Sequence, residues 1–149
     1  MIETHSMPKI YSMYVDGACR KGNPGVCSCA WVLYKDGLEC ARAGHFLGPE
    51  LHTNNFSEYQ ALIFALEYLH TSNIRNVIIY SDSWIVVAQV NQACATYEKL
   101  KPLMTKAYGL LMQGCHVLKQ VKGHAGVEGN EEADRLCNSV LDQQETDAK

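Results

Sequence analysis

Residues 10–15, Ile10-Tyr11-Ser12-Met13-Tyr14-Val15, carry the two-residue alternation of a half-buried strand and stop at Asp16. A glycine-rich loop is expected over residues 17–25, with Asn23-Pro24-Gly25 as a turn signal. Residues 27–34 are β-rich through Trp31, Val32, Leu33 and Tyr34. Lys35-Asp36-Gly37 then reads as a tight hairpin turn, and residues 38–47 return. The period changes after a loop at residues 48–52. Leu62, Ala65, Leu66 and Leu69 form one helical stripe, and Asn55 with Glu58 three residues later has the form of a capping box. Residues 77–80 are apolar throughout, which predicts a parallel strand buried on both faces. Ser81-Asp82-Ser83 can cap a helix over residues 84–91.

Residues 93–99 read as a connection. Leu100, Leu103, Met104, Ala107, Leu110 and Leu111 define a further helix, stopped at Gly114. A last strand is expected over residues 116–121. Gly129 leads into a final helix with Ala133, Leu136, Cys137, Val140 and Leu141 on one face. Residues 1–8 and 142–149 read as tails, leaving one domain over residues 9–141. The order β-β-β-α-β-α-α-β-α predicts an α/β fold: a five-stranded mixed sheet, three strands antiparallel and then two parallel, flanked by helices on both faces.

Composition narrows the class. At 149 residues, 47% apolar and 19% charged, the chain suits one globular domain with a proper core. No apolar run reaches bilayer length, and the opening M-I-E-T-H-S-M-P lacks the features of a secretory signal. A net charge of -3 gives no global attraction to nucleic acid, so any such partner needs local basic surface or bound cations. The seven cysteines are odd in number and contain no C-x-x-C, which argues for reduced thiols over a zinc site. The chain is accordingly expected to be cytoplasmic and monomeric, with no membrane partner.

Candidate chemistry lies in carboxylates at element boundaries. Asp16 and Asp82 each close a predicted strand, and if those strands are parallel neighbours both emerge at one sheet edge. Glu58 and Asp134 each lie near the start of a helix. Each has an ordinary alternative: an Asx-turn for Asp16, a capping box for Glu58, an N-cap for Asp82, a helix-dipole interaction for Asp134. Gathered together, the four would repel one another unless hard cations sat between them. Oxygen ligands without His or Cys suit Mg²⁺ or Mn²⁺, and two such ions can serve in-line phosphodiester cleavage. His124, on the loop Lys122-Gly123-His124-Ala125-Gly126, has the residue type for proton transfer near neutral pH.

Four motifs carry a resemblance: D-G-A-C-R-K-G-N-P-G from Asp16, T-N-N-F-S-E-Y-Q-A-L from Thr53, S-D-S from Ser81, and V-K-G-H-A-G-V-E-G-N-E-E-A-D from Val121. In this order and spacing, over residues 10–141, the sequence resembles type 1 ribonuclease H. The resemblance implies cleavage of the RNA strand of an RNA–DNA hybrid, leaving 5′-phosphate and 3′-hydroxyl ends, with two Mg²⁺ ions (Mn²⁺ as substitute). It implies that Asp16 is shared by both metals, that Asp134 serves the water-activating one, and that Glu58 and Asp82 serve the one beside the leaving oxygen. His124 would assist proton traffic. By the same resemblance Asn23, Asn54 and Asn55 touch the hybrid in its minor groove, Thr53 a phosphate, and Gly17 and Cys19 complete the substrate contacts.

The chain departs from the family pattern where many members carry Gln after S-D-S. Here Trp84 follows, in place of the Gln with which those members read the hybrid; stacking on a sugar or base is one reading of it, and a partly buried structural Trp is the one expected. The basic, Trp-containing protrusion of some members is replaced by a short stretch with Lys99 and Lys101, and no separate hybrid-binding region is expected ahead of residue 10. Binding should then be weak and salt-sensitive, supported by Arg20, Lys21, Lys99, Lys101, Lys119 and Lys122. Two readings compete: a non-catalytic hybrid-binding module, which the presence of all four acidic residues opposes, and a DNA-acting nuclease or integrase of the same broader fold, which the V-K-G-H-A-G loop opposes.

Overall fold

The computed structural model describes residues 10–148; the expected tail at residues 1–8 lies outside them. Strands β1 (Tyr11–Arg20), β2 (Val26–Lys35) and β3 (Leu38–Phe46) form an antiparallel meander. Helix α1 (Asn54–Thr71), strand β4 (Ile78–Ser81), helices α2 (Trp84–Val90) and α3 (Lys101–Gln113), strand β5 (Val117–Gln120) and helix α4 (Glu128–Asp147) follow. A short 3-10 turn at Glu98–Leu100 precedes α3. The sheet order is β3-β2-β1-β4-β5, with β4 parallel to β1 and β5 parallel to β4. β1 is thus the central strand, and the expected five-stranded mixed sheet is the one observed.

The sheet is covered on both faces. Met13, Val15, Cys29, Trp31 and Leu33 point into the main core, which Leu62, Leu66 and Leu69 of α1 fill together with Val86, Ala107 and Leu111 from α2 and α3. Val32 and Tyr34 point the other way, against Ala133 and Leu136 of α4. The two-residue strand period therefore divides β1 and β2 between two helical layers.

Four features differ from the sequence reading. β1 does not end at Val15: its pairing with β2 continues from Asp16↔Ala30 to Arg20↔Val26, so residues 17–20 stay in the sheet. β4 is not buried on both faces, because α4 lies over β1, β2 and β3 and leaves Tyr80 half-buried, stacked on Tyr14 at 4.9 Å. Residues 142–147, expected as a tail, continue α4. Arg20 reaches across to hold them, 2.7 Å from Asp142 and 3.2 Å from Glu145. Finally, Cys19 and Cys27 face each other across β1 and β2 and are disulfide-bonded, where reduced thiols were expected. The five other cysteines are free.

Candidate active site

The parallel register does most of the assembly. The last β1–β4 pair is Val15↔Ser81, so the next residue on each strand is a carboxylate, Asp16 on one and Asp82 on the other. Glu58 arrives from α1 because Gly17 has no side chain. A Cβ on Gly17 would lie 2.5 Å from Ser57 Oγ and 2.7 Å from the backbone N of Glu58, so any larger residue would hold the helix off the strand. As a result Asp16, Glu58 and Asp82 each present a carboxylate oxygen within 4.8 Å of the others.

The ordinary roles open to these residues are taken by neighbours. Thr53, not Asn55, is the N-cap of α1; its Oγ1 accepts from Phe56 N at 3.1 Å. The helix starts at Asn54, so Glu58 lies past its first turn and forms no capping box. Ser83 caps α2, its hydroxyl accepting from Val86 N, which leaves the Asp82 carboxylate free of that duty. Asn130, which the sequence reading did not single out, donates to Asp82 Oδ2 at 3.3 Å from the start of α4. It lies inside the quoted motif from Val121, where its burial gave no signal.

The cluster is electrostatically costly as it stands. Asp16 is buried and accepts from Gly17 N at 2.9 Å. Burial, and then the negative charges of Asp82 and Asp134, push its carboxyl up to about 8. Burial, and then the negative charges of Asp16 and Asp82, push Glu58 well above the carboxylate range. Glu58 Oε2 is buried with no hydrogen-bond partner. A lone buried oxygen inside an all-carboxylate set fits a hard cation, and the absence of His or Cys from the set favours Mg²⁺ or Mn²⁺ over Zn²⁺.

Asp134 stands apart from this group. It projects from α4, contributes its charge to Asp16, and accepts from Asn138 Nδ2 at 3.3 Å. His124 is exposed on the loop before α4, with φ 54. The root of that loop lies against the cluster: a Cβ on Gly123 would sit 2.9 Å from Asp82 Oδ2.

Asn23, Thr53 and Asn55 line one groove of about 390 Å³, whose far wall is Tyr97, Glu98 and Lys99. Asn23 Oδ1 accepts from Asn54 N at 2.9 Å and so fixes this edge to the start of α1. Tyr97 had no periodic pattern around it to mark it in the sequence. Cys19 is half-buried and bonded to Cys27, which takes its thiol away from solvent-side contacts. Of the expected basic support, Arg20 is committed to Asp142 and Glu145, and Lys101 to Glu98 at 2.7 Å. Lys21, Lys99, Lys119 and Lys122 make no ion pair among the described residues. Trp84 is not a structural residue: it is 62% exposed.

A mixed α/β sheet that gathers carboxylates from its central strand, a neighbouring strand and a covering helix defines a class of protein able to hold a hard cation. The family model described as RNase H matches residues 8–142. The ribonuclease H of Methylobacillus flagellatus is 37% identical over 151 residues, covering 90% of this chain and 93% of the relative. That of Paracidovorax citrulli is 36% identical over 144 residues, covering 87% and 93%. Among solved structures, RNase H1 from the halophilic archaeon Halobacterium salinarum matches with a TM-score of 0.79 at 34% identity, over 89% of this chain and 98% of that one. LC11-RNase H1, isolated from compost by a metagenomic approach and solved in complex with an RNA/DNA hybrid, matches with a TM-score of 0.78 at 28% identity, over 90% and 98%. The chain belongs to the ribonuclease H family and is an enzyme of that kind. Among the described residues, no helix is long and apolar enough to cross a membrane.

Proposed function

We propose that the chain hydrolyses the RNA strand of RNA–DNA hybrids by two-metal-ion chemistry, leaving 5′-phosphate and 3′-hydroxyl ends. The observation that carries this reading is the convergence of Asp16, Glu58 and Asp82 around the partnerless Oε2 of Glu58, in a chain of this family. Two Mg²⁺ ions, with Mn²⁺ as substitute, would be held by these carboxylates, one by Asp16 with Asp134 and the other by Asp16 with Glu58 and Asp82. When bound, such ions lower the pKa of the attacking water and stabilise charge on the leaving oxygen.

The chain's own residues then have distinct tasks. Asp16 and Glu58 release to solvent the protons that burial favours on them, and the carboxylates so present the oxygens that would hold the cations; without cations they would repel the reacting phosphate. Asn23, Thr53 and Asn55 hold the hybrid along the adjoining groove, where amide groups can bond the 2′-hydroxyls and base edges that a wide, shallow minor groove displays. Gly17 contributes by letting α1 close on β1, and Cys19, two residues on along the same strand, adds a contact to the hybrid. Exposed on its loop, His124 takes up or delivers a proton beside the departing product. The reading includes action as a monomer in the cytoplasm.

The test is a substrate panel. Labelled RNA–DNA, RNA–RNA and DNA–DNA duplexes are incubated with Mg²⁺, and the ends of the products are identified. Cleavage confined to the RNA of the hybrid supports the reading. Cleavage of DNA duplexes favours a DNA-acting nuclease, and hybrid binding without cleavage favours a binding module.

A further inference from the structure

Asp134 reaches the site from α4, and the turn of helix that carries it is docked by polar contacts. The Cys137 thiol donates to Asp16 O at 3.2 Å, and the buried Ser28 Oγ of β2 donates to Cys137 O at 2.7 Å. The backbone of α4 is thereby registered against the strand that carries Asp16. The carboxylate needs its own constraint, because the terminal torsion of an aspartate is broad and leaves its oxygens free to rotate. Among the described residues, its only hydrogen-bond donor is Asn138, one helical turn further on. Asn138 Nδ2 donates to Asp134 Oδ1 at 3.3 Å and to Asp134 O at 3.0 Å.

The amide of Asn138 cannot turn over. Arg20 Nη2 donates to Asn138 Oδ1 at 3.1 Å and to Asn138 O at 3.2 Å. A guanidinium only donates and an ionised carboxylate only accepts, so an amide between them must turn its oxygen to Arg20 and its NH₂ to Asp134. Arg20 is fixed in turn, since its Nη1 pairs with Asp142 and Glu145, one and two turns beyond Asn138. Arg20 also lies four residues past Asp16 on β1 and so shares its face of the strand. The relay from Arg20 through Asn138 therefore refers the Asp134 carboxylate to the strand that carries Asp16. The pairs with Asp142 and Glu145 already tie α4 to β1. What the amide adds is a donor to one oxygen of Asp134, while Oδ2 keeps no partner among the described residues.

We propose that Asn138 is a positioning residue: clamped by Arg20, it sets the carboxylate of Asp134 for the cation that Asp134 would hold with Asp16. The inference rests on the metal-dependent reading of this site and deepens it. Partners of this kind behind a ligand carboxylate are typically worth about 10–100-fold in metal affinity or activity. A half-buried contact at 3.3 Å belongs at the low end of that range.

Calorimetric titration of Mn²⁺ into metal-free wild type, Asn138→Ala, Asn138→Gln, Asp134→Ala and the Asp134→Ala/Asn138→Ala double variant tests this. Asn138→Ala should weaken the Asp134-dependent Mn²⁺ affinity about tenfold and raise the Mg²⁺ concentration for half-maximal cleavage by a similar factor, with KM for hybrid within about twofold of wild type. Alanine is a better helix former than asparagine, so α4 persists in this variant. Asn138→Gln carries the same donor and acceptor at a spacing where such pairs form, and should recover most of the loss. In the Asp134→Ala background, Asn138→Ala should weaken Mn²⁺ binding no further, because the carboxylate it acts through is gone. Unaltered Mn²⁺ affinity in Asn138→Ala, beside weakened affinity in Asp134→Ala, overturns the assignment alone. So does an equal loss with and without Asp134, which would make Asn138 a structural residue. Mn²⁺ affinity that Asp134→Ala leaves unmoved, or cleavage that needs no metal, overturns the two-metal reading and the assignment with it.

Discussion

Asp16→Asn is the substitution for which structure and function make opposite demands. In metal-free protein, Asp16 is forced toward its neutral form by burial and by the charges of Asp82 and Asp134, which push its carboxyl from 3.8 up to about 8. The unfolded chain has no such environment, so between those values the folded state binds more protons than the unfolded one. Stability must therefore be fully present below about pH 4 and fall as pH rises through about 8. Asparagine removes this dependence, since it can accept from Gly17 N and carries no charge. At about 1.4 kcal/mol per pKa unit, the upper limit of the gain at pH 7 is about 4 kcal/mol. Fitting an amide NH₂ beside Glu58 offsets part of it, and a net gain of about 1–2 kcal/mol is expected, or roughly 2–8 °C in Tm for a chain of this size. Thermal unfolding in EDTA, followed by circular dichroism from pH 4.5 to 8, reads it. The variant should match wild type at the acid end and lead it increasingly toward pH 8. With Mg²⁺ the lead should shrink or reverse, because only wild type gains binding energy. A variant that is less stable than wild type at every pH would refute the reasoning and make Asp16 a structural residue.

Three further outcomes are expected. His124→Ala should lower turnover by roughly ten- to a hundredfold, at or below the floor of positioned acid–base catalysis, with KM and metal requirement little changed; loss as complete as in Asp16→Asn contradicts an assisting role. Asn55→Ala should weaken hybrid binding without destabilising α1, whereas Thr53→Ala should cost about 1 kcal/mol because Thr53 is the cap; filter binding and denaturant unfolding on both variants separate the two. Gly17→Ala should reduce cleavage by at least about tenfold while the fold persists, since small displacements of catalytic groups carry penalties of that order; wild-type activity in a folded Gly17→Ala protein would mean that α1 need not close on β1.

The sheet was legible in the sequence because its signals are local. The Asp36-Gly37 hairpin, the short apolar strand before Asp82 and the helical stripe of Leu62, Leu66 and Leu69 each declare their element. The meeting of Asp16 and Asp82 followed from two strand ends and one assumption, that β4 runs beside β1 in parallel. What escaped the sequence depends on partners distant along the chain. β1 runs on to Arg20 because β2 continues to pair with it. The end of α4 is ordered by Arg20, more than a hundred residues away. Thr53 outcompeted Asn55 as the cap because the helix begins two residues earlier than its polar signal, where Asn54 N donates to Asn23 Oδ1. The exposure of Trp84 could not be read from its apolar character, which equally suits a core position; only the register of α2 against the main core turns it outward.

The measurement that bears most directly on the central claim is gel analysis of a 5′-labelled RNA strand annealed to DNA, incubated with wild type or Asp16→Asn, with Mg²⁺ or with EDTA. The account predicts internal cuts in the RNA by wild type with Mg²⁺, ending in 3′-hydroxyl groups, and an intact strand in the other three reactions. Cutting by wild type in EDTA, or by Asp16→Asn at a rate close to wild type, would contradict it.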